Sequence, residues 1–187
     1  MLAAKTALLI IDVQRGILAI PNLARKKEIE KALDETVGRI AGIIARARTA
    51  AVPVIYVQHD GSPGHRLEPD TSGWPIRSEV APQPGEPVIR KRACDAFFET
   101  TLDAELTAAA IKQLVIGGCM TQYCIDTAVR RAVSLGYDVV LAADGHTTAG
   151  TRTLRFEQII AHHNALLDGF DAGEHEVRVC LSSEIRL

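Results

Sequence analysis

The 187-residue chain has no C-x-x-C pair and no Cys/His spacing of the kind that holds zinc. Its cysteines, Cys94, Cys119, Cys124 and Cys180, are scattered, as reduced thiols would be. It has no apolar run approaching the roughly 20 residues that cross a bilayer. Nor does its N-terminus show the basic, apolar and small-residue succession of a secretory signal. The expectation is a cytoplasmic protein with no membrane partner. An excess of positive charge is also missing: the formal net charge is -2, where a nucleic-acid binder would be basic. No G-x-G-x-x-G follows the first apolar run, which removes the main signature of a dinucleotide. No cofactor and no metal are therefore expected. There is no internal repeat, and the length suits one domain spanning residues 1–187.

The most informative stretch is Leu114 to Leu135, LVIGGCMTQYCIDTAVRRAVSL. It reads as a buried strand, a tight turn at 117–121 and a helix that begins near Cys124. The first N–H groups of a helix lack internal partners and carry the positive end of its dipole. A thiol placed there is expected to have a lowered pKa, and the thiolate is the nucleophilic form. The same N–H groups suit an oxyanion. A buried, inert cysteine is the competing reading.

Other polar groups follow apolar runs. Ala7 to Ile11 is a continuous apolar stretch suited to a strand covered on both faces, and it ends in Asp12-Val13-Gln14. Asp12 is either a turn residue or a functional carboxylate at the carboxyl edge of a sheet. Gln14 has two roles open to it, ligand contact or a bond to the loop backbone. Residues 15–27 read as a loop with Pro21. Glu28 to Thr49 repeats Ile29, Leu33, Val37, Ile40, Ile43 and Ile44 at helical spacing. The strand VIYVQ, Val54 to Gln58, leads to His59. Residues 60–87 hold six of the eight prolines and the single tryptophan, Trp74, which either walls a pocket or pins the loop. A third strand starts at Val88, and alternation along it turns Lys91 away from Arg90 and Arg92. A helix from Leu102, a strand over 138–144, a loop over 145–148, a helix from Thr153 to Leu167 and a strand over 177–181 complete the series. Strands alternating with helices predict a three-layer α/β/α doubly wound fold. Right-handed crossovers bring Asp12, His59, Lys91 and Cys124 to the same edge of the sheet.

At this point the residues resemble the isochorismatase-like cysteine hydrolase family. The blocks that carry the likeness are LLIIDVQ, VQHDG, VIRKRACDAFFETTL and VIGGCMTQYCIDTAVRRAVSLGYDVVLAADGHTT, with IIAHHNALL near the end. The resemblance implies a six-stranded parallel sheet, a triad of Asp12, Lys91 and Cys124, and a cis peptide bond before Met120. It implies an oxyanion held by the N–H groups of Met120 and Cys124, and a substrate pocket formed by Gln14, His59, Trp74, Phe97 or Phe98, and Tyr123. Isochorismatases proper, which cleave a vinyl ether, generally lack the cysteine. Nicotinamidases carry an Asp-x-His metal site, but here Val57 stands two residues before His59. The implied activity is therefore a metal-independent hydrolase that cleaves an amide, carbamoyl or imide C–N bond of a small molecule through a thioester. A homo-oligomer is also implied. The rival readings are a small-ligand-binding protein that kept the fold without turnover, and a thiol redox protein using Cys119 and Cys124. The second is disfavoured by the separation of the two cysteines across a turn.

Overall fold

A computed structural model describes residues 5–20 and 25–187, so Pro21 of the expected 15–27 loop lies outside the described residues. The chain runs β1 (Thr6–Ile11), α1 (Lys26–Thr49), β2 (Val54–His59), β3 (Val88–Lys91), α2 (Leu102–Ala108), β4 (Gln113–Cys119), α3 (Asp126–Ser134), β5 (Asp138–Thr147), α4 (Phe156–Leu167), β6 (Asp171–Ala172) and β7 (His175–Cys180). A short 3₁₀ turn, Ser78–Val80, interrupts the long loop before β3, and one π-type turn, Thr121–Ile125, joins β4 to α3.

The strands lie in the order β3-β2-β1-β4-β5-β7-β6. All neighbouring pairs are parallel except β6 with β7, a two-residue antiparallel addition at the edge. Period-2 alternation on β1 splits the core into two layers. Leu8 and Ile10 face a cluster containing Ile40, Ile43 and Ile44 of α1 and Phe156 of α4. Ala7, Leu9 and Ile11 face a second cluster with Leu102 and Leu106 of α2 and Ala128 and Val129 of α3. Each fully buried Leu or Ile contributes roughly 1.5–3 kcal/mol by leaving water. That gain on both faces is what makes near-continuous apolar strands the stable choice.

The chain moves from β1 to β2 and β3 on one side, then returns to place β4 on the other side of β1. The order therefore reverses between β1 and β4, and open α/β sheets bind ligands at such a switch point. β1 and β4 approach closely here. A Cβ on Gly118 would lie 2.0 Å from the Ile11 carbonyl oxygen, and Gly118 has φ 134°, so only glycine fits.

Two segments depart from the sequence reading. Residues 117–119 continue β4 instead of turning, because Gly117 and Gly118 pair with Ile10 and Ile11. Residues 145–147 continue β5 instead of forming a loop: Leu141 pairs with Ile116, His146 with Gly118 and Thr147 with Cys119, and the extra residues of β5 bulge out between. Among the described residues no helix is long and apolar enough to cross a membrane.

Candidate active site

Three strand ends deliver three polar side chains to the switch point. Asp12 follows β1 with φ 52°, in the left-handed region that Asp tolerates better than most residues. Its N–H donates to the Val57 carbonyl at 2.9 Å, which ties the turn to β2. Lys91 is the last residue of β3. Ile89 and Lys91 face inward while Arg90 faces out, the alternation a strand imposes. The Lys91 side chain reaches past the end of β2 to place Nζ 2.7 Å from Asp12 Oδ2. These two side chains are 0% and 1% exposed. The ammonium also donates to the Ala93 carbonyl at 2.9 Å and lies 3.2 Å from Cys124 Sγ. Cys124 sits in the π-type turn beyond β4, just before α3. The peptide bond between Cys119 and Met120 is cis.

The electrostatics correct one expectation. Burial pushes the Cys124 thiol pKa up, the Asp12 charge pushes it the same way, and Lys91 offsets them only in part. A helix start and a lysine would by themselves depress it. Asp12 reverses the outcome, because its carboxylate already neutralises the ammonium and a thiolate would be a second buried anion. Burial also opposes the Lys91 charge, but Asp12 and the Cys124 sulfur outweigh it and hold that pKa above the ordinary value. Both shifts favour a neutral thiol on Cys124 beside a charged Lys91.

Above Asp12 and Cys124 opens a cavity of about 390 Å³. His59, Cys94, Met120, Gln122 and Tyr123 line it, together with Ile17, Ile20 and Leu67. Tyr123 stands at the rim, 49% exposed. His59 and His65 meet edge to face with ring centroids 5.8 Å apart, and burial, followed by the charge on Lys91, lowers the His59 pKa. Arg66 also reaches the cavity; its Nε donates to the Ile17 carbonyl at 3.0 Å. Among the described residues no group of three or more His, Cys, Asp or Glu side chains could hold a metal ion.

Asp12, Cys124, Met120, His59 and Tyr123 thus share one cavity, and Lys91 bonds to two of them. Three expected substrate contacts lie elsewhere. Gln14 is 0% exposed, and its amide is consumed by backbone: it accepts from the His59 N–H and donates to the carbonyls of His59 and Trp74. It staples the turn after β1 to the long loop. Trp74 donates from Nε1 to Asp60 Oδ1 at 3.0 Å and lies under the Arg90 guanidinium, 4.3 Å from its ring centre, so it pins the loop. Phe98 is 54% exposed and borders a different hollow, near Arg90 and Glu99. Arg66, Leu67 and Cys94 were not assigned to the pocket by sequence. They come from irregular segments, where no periodicity marks which side chain faces inward; for Arg66 and Leu67 the proline-rich composition of 60–87 was the only signal.

The Isochorismatase domain model matches residues 6–167. The chain is similar to a streptothricin hydrolase of Streptomyces noursei, 40% identical over 146 residues, which covers 76% of this chain and 49% of that protein. It is 28% identical over 172 residues to the ureidoacrylate amidohydrolase RutB of Variovorax paradoxus, covering 76% of this chain and 68% of the relative. The chain spans about half the length of the two streptothricin hydrolases it matches. Among solved structures, an isochorismatase from Pseudomonas putida KT2440 superposes with a TM-score of 0.83 at 28% identity, over 97% of this chain and 90% of that one.

Proposed function

This chain belongs to the isochorismatase family, and from that premise we propose that it is a cysteine-dependent hydrolase cleaving a C–N bond of a small amide, carbamoyl or imide compound. The observation that carries the reading is the bridge made by Lys91 Nζ, 2.7 Å from Asp12 Oδ2 and 3.2 Å from Cys124 Sγ, at a cavity of about 390 Å³. The names of two relatives, streptothricin hydrolase and ureidoacrylate amidohydrolase, support hydrolysis as the reaction type.

The neutral thiol sets the order of events. As Sγ attacks the substrate carbonyl carbon, the thiol proton passes to Asp12, so the negative charge moves from carboxylate to substrate oxygen and no second buried anion accumulates. Lys91 stays charged throughout and compensates whichever neighbour carries the anion. The N–H groups of Met120 and Cys124 are the donors assigned to the tetrahedral oxyanion. Collapse expels the amine, which takes the proton from Asp12, and leaves a thioester on Cys124. Asp12 then accepts a proton from the attacking water, and the acid is released as the thiol re-forms.

The test is acylation by p-nitrophenyl acetate, followed by peptide mass mapping and a screen of small amides and carbamoyl compounds. The expected result is an acetyl group on Cys124, lost in Cys124→Ala, with amide hydrolysis lost in the same variant. Turnover that survives Cys124→Ala would overturn the nucleophile assignment. A pocket that binds the amides but neither acylates nor hydrolyses would favour a binding protein.

A further inference from the structure

The loop expected at 145–148 turns out to place a buried histidine behind the Cys124 turn. The Thr121 hydroxyl lies 2.9 Å from His146 Nδ1, and His146 Nε2 lies 2.8 Å from Asn164 Oδ1. The Asn164 amide nitrogen donates to the Ala143 carbonyl at 2.9 Å. That last bond fixes the orientation of the amide. With Nδ2 committed to Ala143, Oδ1 faces the ring and must accept, so Nε2 carries the hydrogen. In the neutral ring Nδ1 is then an acceptor, and Thr121 donates to it. The donations run one way, from the turn through the ring to α4 and back to β5. Burial lowers the His146 pKa to about 4 against the bond to Asn164; His163 on α4 lowers it further and Asp144 on β5 raises it, so the neutral ring prevails at neutral pH.

We propose that Thr121, His146 and Asn164 form a buried positioning relay that holds the Thr121–Ile125 turn, and with it the Cys124 sulfur, in register with Lys91 and Asp12. The inference rests on the reading of Cys124 as nucleophile. None of the three residues touches the reacting atoms; they act through the turn. π-type turns are rare and concentrate at functional sites. This one begins at Thr121, a buried residue whose hydroxyl is tied to His146 of β5 and, through that ring, to Asn164 of α4. The Cys124–Lys91 contact is 3.2 Å, so a shift of about 1 Å would break it. Misplacement on that scale costs about a hundredfold in rate.

The experiment compares wild type, Thr121→Val and Thr121→Ser. Valine keeps the shape and removes the hydrogen; serine keeps the donor. p-Nitrophenyl acetate reports on the relay because an S–C bond forms, the ester C–O bond breaks, p-nitrophenolate leaves and the thiol proton goes to Asp12. Iodoacetamide labelling of exposed Cys94 and buried Cys119 gives internal controls. Thr121→Val is expected to slow Cys124 acylation by on the order of a hundredfold, with Cys94 labelling and Cys119 protection unchanged, and Thr121→Ser to restore the rate to within a few-fold of wild type. His146→Gln, tested alongside, is expected to slow Cys124 selectively as well, so the result does not depend on one variant folding. Wild-type acylation in Thr121→Val would overturn the relay alone. Cys119 becoming reactive in step with the loss at Cys124 would also overturn it, showing a general core role. If the wild type is not acylated at Cys124, the nucleophile reading fails and the relay falls with it.

Discussion

Replacing Lys91 by Met keeps much of the side-chain volume and removes a buried charge. At 2.7 Å and an effective dielectric near 20, the Asp12–Lys91 attraction is about 6 kcal/mol before desolvation. Removing one member of a buried pair leaves the other uncompensated and typically costs about 3–5 kcal/mol. Asp12→Asn should cost a similar amount by stranding the ammonium. The double variant strands neither, so it should be more stable than the sum of the single losses predicts, by more than about 2 kcal/mol. The assay is urea denaturation of all four proteins at neutral pH, followed by far-ultraviolet circular dichroism and combined as a double-mutant cycle. Additivity to within about 0.5 kcal/mol, the behaviour of independent sites, would refute the claim that the two charges are held as one buried unit. Acylation of Cys124 should be lost in the two variants that lack Lys91, where no cation balances an anion on the sulfur or on the substrate oxygen.

The same balance predicts opposite shifts in thiol reactivity: the Cys124 pKa read from iodoacetamide labelling against pH should fall in Asp12→Asn, where the thiolate becomes the only partner of Lys91, and rise in Lys91→Met. Equal shifts of one sign would contradict the neutral-thiol resting state. Cys119 is pushed up to about 12, first by burial and then by Asp12. An acid whose folded pKa is raised contributes stability that is whole below its unfolded value, near 8.5, and is lost as pH climbs toward the folded value. Thermal stability should therefore decline above pH 8.5, and the decline should be shallower in Cys119→Ala; parallel slopes would remove Cys119 as a cause. Gly118→Ala would set a Cβ 2.0 Å from the Ile11 carbonyl in a backbone region that alanine resists. It should lose more than about 2 kcal/mol and displace Asp12, which circular dichroism melts and the acylation rate would register.

The family, the doubly wound fold class and the delivery of Asp12, His59, Lys91 and Cys124 to one sheet edge were all legible in the chain. Each rests on a local regularity. Alternation and helical spacing report which face of an element is buried, and burial on both faces makes parallel strands read as apolar runs. The polar residue that ends such a run must then lie at the carboxyl edge. The roles of Gln14, Trp74 and Phe98 were not legible, because each depends on which backbone or loop meets the side chain across the fold. The continuation of β5 through His146 was hidden for the same kind of reason: Gly145-His146-Thr147 has loop-like composition, and only pairing with Gly118 and Cys119 of β4 makes it strand.

The charge state of the cysteine shows where the division falls. The sequence by itself determined that a thiol, a lysine and a carboxylate would occupy strand and helix ends, because periodicity is a property of neighbours along the chain. Only the tertiary structure decided that Lys91 stands between Asp12 and Cys124 at hydrogen-bonding distance of both, out of water. Electrostatic energy depends on distance and burial and not on spacing in sequence. That is why Asp12 raises the Cys124 pKa, where a helix start and a lysine alone would lower it.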